Sequence, residues 1–218
     1  MCSSDLNAVV SQSGSGQYAI GLDSNIPLAR LTLDNTNADL LGALTPATNG
    51  TGAGAITYSS SIYKVGTYSA YIPNVPGATS SLSYLNYTVP ASLYQPSNLT
   101  LSFWANPTAI SPTLQSAMMG FNNGTTGAGP YVYLLNGTVA FAYYTSTSAS
   151  GAVTSAPCVF ATNTWYHIAA VYQQGNMFLY VNGSLQASGT TIGNLSLNGG
   201  TNISNRSEEH TSELQSRQ

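Results

Sequence analysis

Two stretches of the chain alternate apolar and polar or small positions regularly enough to be read as hairpins. In YVYLLNGTVAFAYY, residues 131–144, the alternation runs up to Asn136-Gly137 and resumes after it. That dipeptide suits a type I′ turn, whose two central residues both take positive φ. A two-residue loop sets Leu135 opposite Thr138 and Tyr133 opposite Ala140. Val132, Leu134, Val139, Phe141 and Tyr143 then share one face, and Tyr131, Tyr133, Ala140, Ala142 and Tyr144 share the other. The first face reads as core and the second as a tyrosine-bearing platform. In WYHIAAVYQQGNMFLYVNG, residues 165–183, the turn falls around Gln173–Asn176. With four residues looped out, Ile168, Ala170, Met177, Leu179 and Val181 fall on one side of this hairpin, and Trp165, His167, Val171, Phe178 and Tyr180 on the other. Both sides are largely apolar, which predicts central strands, and Asn182-Gly183 turns the chain into SLQAS. From Pro27 onward, short runs rich in Leu, Val, Tyr, Phe and Thr are separated by Gly, Pro, Asn and Ser clusters. No stretch sustains a helical period, so the domain is predicted to be all-β. Asn7 to about Ile26, with its SQSGSGQ run, reads as a linker or the end of a preceding module.

Charge changes the picture at the ends. Three of the chain's seven acidic residues lie in RSEEHTSELQS, Arg206–Ser216, after a stretch that is nearly free of charge. This segment is the in-frame translation of a widely used sequencing adapter. The opening MCSSDL is the translation of the complementary adapter strand from a GTG start. Met1–Leu6 and Arg206–Gln218 are therefore read as adapter-derived and set apart from the fold. Between them the charged side chains are Asp23, Arg30, Asp34, Asp39 and Lys64, glutamate does not occur, and the one cysteine is Cys158. A chain of this length can bury one sizeable core. With no basic patch to neutralise phosphates, nucleic acid is not expected as a partner. No apolar run reaches the roughly 20 residues of a membrane-spanning helix, so membrane insertion is not expected either. One cysteine permits no internal disulfide, and Cys158 reads as a buried small hydrophobe. Solubility resting on Ser, Thr, Asn, Gln and Gly points to an extracellular, cell-surface or virion-surface setting. Sequons such as Asn98-Leu-Thr and Asn194-Leu-Ser become glycan sites only in a eukaryotic secretory host.

The stretch NTWYHIAAVYQQGNMFLYVNGSL resembles the W-x-H-x-A-x-V … L-Y-V-N-G signature of the laminin-G-like, concanavalin A-like jelly-roll domains. Upstream, PLARLTLDNTNADLLG resembles that family's opening strand and acidic loop. ITYSSSIYKVGTYSAYI resembles its small-residue strand region, and LTLSFWANP its L-x-x-S-F-W-x-x-P strand. The order matches from about Pro27 to Asn205. The resemblance implies a two-sheet antiparallel β-sandwich, a jelly roll. Members usually end on a further strand, often with a Gly-x-Ile-Asp-like motif, after the segment equivalent to TIGNLSLNGGTNISN. Here adapter-derived residues begin first, so the expectation is a sandwich truncated before its closing strand, with an unpaired edge.

The available side chains restrict the chemistry. Glucanases sharing this fold use closely spaced carboxylates, and glycoside hydrolysis generally needs two of them. Residues 7–205 hold no glutamate, and their three aspartates all fall by Asp39. Serine chemistry needs a base and an orienter, but His167 is the one histidine of that segment and no G-x-S-x-G occurs. No catalytic residue is assigned, and the domain is not expected to be an enzyme. His167 reads as a packed, hydrogen-bonded histidine, and Trp104 and Trp165 read as core. The DNTNAD turn offers Asp34 and Asp39 as candidate calcium ligands, although Asn and Asp are also ordinary turn formers. The leading functional expectation is a non-catalytic carbohydrate-binding or adhesion module within a larger surface or secreted protein. Its partners would be a glycan or cell-surface polysaccharide and the other domains of the same chain. Tyr131, Tyr133 and Tyr144 are the candidate ligand-binding residues, because flat sugar faces stack on aromatic rings. The competing expectation is a structural spacer, fibre or virion-surface domain with no small-molecule ligand, and outward tyrosines are also what strands favour on an ordinary sheet surface.

Overall fold

Asn136-Gly137 closes its hairpin in the predicted register: both residues have positive φ, and Leu135 pairs with Thr138 and Tyr133 with Ala140. Gln174-Gly175 and Asn182-Gly183 repeat the device, with positive φ at both positions; the second hairpin thus has a two-residue loop where four residues are expected, Gln173 pairing with Asn176 in an otherwise unchanged register. These turns lie in a computed structural model that describes residues 29–42, 44–49, 55–73, 85–88, 98–113, 116–121, 129–144, 149–154, 159–190 and 212–216.

The described residues contain strands and no helix, and every strand pairing is antiparallel. A two-stranded sheet joins β1 (Thr45–Asn49) to β4 (Leu85–Thr88). A four-stranded sheet runs in sequence order through β6 (Ser116–Gly120), β7 (Gly129–Leu135), β8 (Thr138–Tyr144) and β9 (Ala149–Thr154). The largest sheet has seven strands. Its order begins with β12 (Ser184–Thr190), β11 (Asn176–Val181), β10 (Tyr166–Gln173) and β5 (Asn98–Pro107). It continues through β13 (Ser212–Ser216) and β3 (Ser69–Ile72) to β2 (Thr57–Ser59).

Alternation along the strands fills the space between the two larger sheets. From the seven-stranded sheet come Leu101, Phe103 and Ala105, then Ile168, Ala170 and Tyr172, then Met177, Leu179 and Val181. Val132, Leu134, Val139 and Phe141 meet them from β7 and β8 in the same buried cluster. Burying each large apolar side chain contributes about 1.5–3 kcal/mol. The two larger sheets form the all-β sandwich that the resemblance implies. The inward faces of both hairpins are as expected wherever the side chains are described. Tyr143 and Cys158 lie outside the described side chains.

The C-terminal tail departs from expectation. The closing position is occupied, not left as an unpaired edge: Ser212–Ser216, in the segment read as adapter-derived, forms β13 between β3 and β5. Pairing through backbone N–H and C=O groups makes modest demands on sequence. SELQS meets them, placing Leu214 in register with Ala70 on one side and Ala105 on the other. Trp104 is a second correction. Because Leu101, Phe103 and Ala105 point inward, Trp104 falls on the outer face of β5, half-buried and outside the core cluster. Trp165, just before β10, is also half-buried and outside that cluster.

Candidate functional site

The outer face of the four-stranded sheet is built of small residues around two tyrosines. Tyr131 and Tyr133 alternate with the buried Val132 and Leu134 along β7, so their rings leave the core and are half-buried. The ring centroids lie 5.4 Å apart with planes inclined by 33°. Tyr131 stands between Gly120 of β6 and Ala142 of β8, and Tyr133 between Ala117 and Ala140. Ala140 and Ala142 are themselves buried, so the rings rise from a closed floor. A bulge between Ala117 and Met119 sets this register. Met118 lies in the core and Met119 packs against it, while Gly120 comes beneath Tyr131. A Cβ on Gly120 would lie 2.2 Å from the Tyr131 Cβ. The third platform candidate, Tyr144, pairs through its backbone with Gly129, and its side chain is outside the described residues.

Asp34 and Asp39 serve two separate backbone segments. The Asp39 carboxylate accepts bonds from the Arg30 N–H at 2.7 Å and the Leu41 N–H at 3.1 Å through Oδ1, and from the Leu44 N–H at 2.9 Å through Oδ2. Oδ1 of Asp34 accepts the Thr67 N–H and the Thr67 hydroxyl, both at 2.9 Å. Thr67's N–H and hydroxyl, with help from the Tyr68 N–H, hold the Asp34 carboxyl below its ordinary value, against a small desolvation penalty. Gly66, at φ +81°, lets the loop approach: a Cβ there would be 3.1 Å from the Asp34 carboxyl carbon. Among the described residues no group of three or more His, Cys, Asp or Glu is arranged to hold a metal ion.

The loop that Asp34 holds, residues 60–68 between β2 and β3, is fixed at further points. Ser59 Oγ accepts the Ile62 N–H at 3.2 Å, and the Ser69 hydroxyl donates to the Ile62 carbonyl. The loop brings the Lys64 Nζ to 4.9 Å from the centre of the Trp104 ring, within range of a cation–π contact. Trp104 pairs across strands with His167, the two rings 5.2 Å apart and tilted by 56°. His167 is buried, and its Nε2 lies 3.0 Å from the Ser102 hydroxyl. Asn182 Oδ1 accepts its backbone N–H at 2.9 Å. These contacts match the expectation of a packed, hydrogen-bonded histidine. The Trp104 indole N–H is shielded from solvent and has no hydrogen-bond acceptor, a state that costs about 1–3 kcal/mol. Sequence reading missed this cluster, although alternation with Phe103 was a sufficient signal that Trp104 faces outward.

A jelly-roll sandwich carrying aromatic side chains on its outer faces defines the class, and comparison gives the family. The family model described as the concanavalin A-like lectin/glucanases superfamily matches residues 76–214, and the chain belongs to that family. The match ends inside β13. No curated protein matches the chain. Among solved structures, the binding domain of botulinum neurotoxin serotype G is similar at a TM-score of 0.60 and 12% identity, over 87% of this chain and 46% of that one. A type C botulinum neurotoxin, described as entering cells through interaction with two ganglioside molecules, is similar at 0.64 and 13%, over 87% and 46%. The serotype D ligand-binding domain, in complex with N-acetylneuraminic acid, is similar at 0.64 and 13%, over 87% and 45%. At these identities the likeness is one of fold, and the chain spans less than half the length of each of these neighbours.

Proposed function

We propose that this chain is a non-catalytic carbohydrate-binding or adhesion module of a larger secreted, cell-surface or virion-surface protein. In this reading Tyr131 and Tyr133, with Tyr144 at the end of β8, contact the sugar. The observation that carries it is the tyrosine pair itself: two adjacent, partly exposed rings on a rigid strand, flanked in register by Gly120, Ala117, Ala142 and Ala140. Small neighbours leave the rings as the relief of the face, and sugar C–H faces stack on such surfaces. The superfamily includes lectins, and the neighbouring toxin domains named for ganglioside and N-acetylneuraminic acid complexes lend the reading further support. A hydrolytic role has less behind it, since Asp34 and Asp39 are each engaged by backbone amides of different segments.

A glycan-array screen, run with and without calcium to test Asp34 and Asp39 as ligands, examines the proposal. Specific binding by the native chain is expected, and its loss in a folded Tyr131→Ala/Tyr133→Ala variant would place the site on β7. Binding that survives in that variant would move the site elsewhere. A folded chain that binds no glycan would favour a structural spacer or fibre domain.

A further inference from the structure

We propose that the loop of residues 60–68 and the Trp104 surface beneath it form a second site, distinct from the tyrosine face, for a saccharide bearing a single acidic group. The loop is held by Asp34, Ser59 and Ser69, yet it turns apolar and cationic side chains outward: Ile62 is 44% exposed, Tyr63 is 47% exposed and Lys64 is exposed beside them. Holding apolar groups in water on a well-fixed loop is a feature of binding surfaces. Beneath it, Trp104 cannot rotate freely, because His167 packs on its ring and is tied to Ser102. The result is a preset indole, an ammonium at its face and an exposed tyrosine next in sequence to that ammonium.

The ligand class follows from this arrangement. Lys64 and Arg30 are the Lys and Arg side chains among the described residues, and Lys64 is the one at the aromatic ring. Nucleic acids and acidic peptides offer rows of charge that need several cations. One ammonium beside an aromatic face suits one anion next to a stackable ring, which is an acidic sugar. The lysine stem is flexible. Its movement from above the ring would let the ammonium pair with a carboxylate or sulfate while the sugar ring takes its place. The indole N–H, shielded from solvent and without an acceptor in the structure, would meet a ligand oxygen once that movement uncovers it.

The test uses the whole chain with Trp165→Phe, which leaves Trp104 as the sole tryptophan of the two. An aldobiouronic acid with its one carboxylate, a monosulfated galactose disaccharide and neutral cellobiose are titrated, with indole fluorescence and calorimetry as readouts. Binding of one or both acidic probes is expected, with a change in Trp104 emission and weakening as salt is raised. The carboxylated and sulfated arms identify which acid is preferred. Lys64→Met, which keeps most of the stem, should raise the dissociation constant for the acidic probe at least about tenfold, the loss of one charge-assisted contact. Tyr131→Ala/Tyr133→Ala should leave this binding intact, so failure here and failure of the tyrosine site are told apart. Failure of both acidic probes to bind the folded chain would overturn the proposal, as would equal binding by Lys64→Met or tighter binding of the neutral probe. Trp104→Phe is the second variant; should it unfold, the Lys64→Met comparison decides alone.

Discussion

Replacing Gly120 by alanine asks a side chain to enter space already given to Tyr131. The new Cβ would lie 2.2 Å from the Tyr131 Cβ, 2.7 Å from its Cα and 2.9 Å from the Pro130 carbonyl oxygen. Two of these obstacles are backbone atoms, so no rotamer change relieves the clash. Ordinary carbon contacts need about 3.5–4.0 Å, and the strands must therefore separate by more than an ångström at this point. Overpacking of this kind costs about 1–3 kcal/mol, and a backbone obstacle argues for the upper half of that range. In a chain of this size the loss corresponds to a fall of roughly 4–12 °C in melting temperature. Gly175→Ala is the matched control: nothing lies within 4 Å of its Cβ, but φ is +89°. Its cost is conformational alone, about 1–2 kcal/mol from the left-handed backbone, partly offset by a stiffer unfolded chain. Thermal unfolding followed by circular dichroism gives both values, and tyrosine signals in the near ultraviolet report whether Tyr131 has moved. A Gly120→Ala variant that melts like the native chain with unchanged tyrosine signals would show that β6 and β7 do not pair in this bulged register, and the geometry assigned to the tyrosine face would fall with it.

Two further perturbations test the loop and the tail. Since Asp34's carboxyl is held below its ordinary value of 3.8 by Thr67, its stabilising contribution is fully present above that pH and is lost as pH falls through the lower folded value. Acid titration should therefore release the 60–68 loop at pH below about 3.8, seen as a change in Trp104 emission, and Asp34→Asn should remove that transition. Deleting Arg206–Gln218 takes β13 from between β3 and β5 and leaves two inner edges unpaired. The shortened chain should melt at a clearly lower temperature and self-associate in sedimentation experiments; an unchanged melt and a monomer would mean that β13 contributes nothing to the sheet.

The parts of this molecule that were legible in its sequence are those settled within a few residues of each other. Period-two alternation around Asn136-Gly137 and Gln174-Gly175 places Val132, Leu134, Phe141, Ile168, Met177 and Leu179 inward, and all are buried. The same rule, applied to Leu101 and Phe103, puts Trp104 outside; reading tryptophan as core let its hydrophobicity override its phase. The contacts that remained hidden join residues far apart in sequence. Asp34 reaches Thr67, Lys64 reaches Trp104, and Ser102 reaches His167, which is 65 positions away. A local pattern holds no information about such partners until strand order is known. The DNTNAD turn shows the consequence most directly. Two carboxylates in one short turn invite a cation, yet Asp39 accepts the amides of Arg30, Leu41 and Leu44, and Asp34 accepts the amide and hydroxyl of Thr67 in a second loop. A carboxylate oxygen engaged in this way must give up its hydrogen bonds before a metal can take it. The chemistry of an acidic turn in a charge-poor chain therefore depends on what the sheet order brings to it, and here it brings a loop that sets a lysine over a tryptophan.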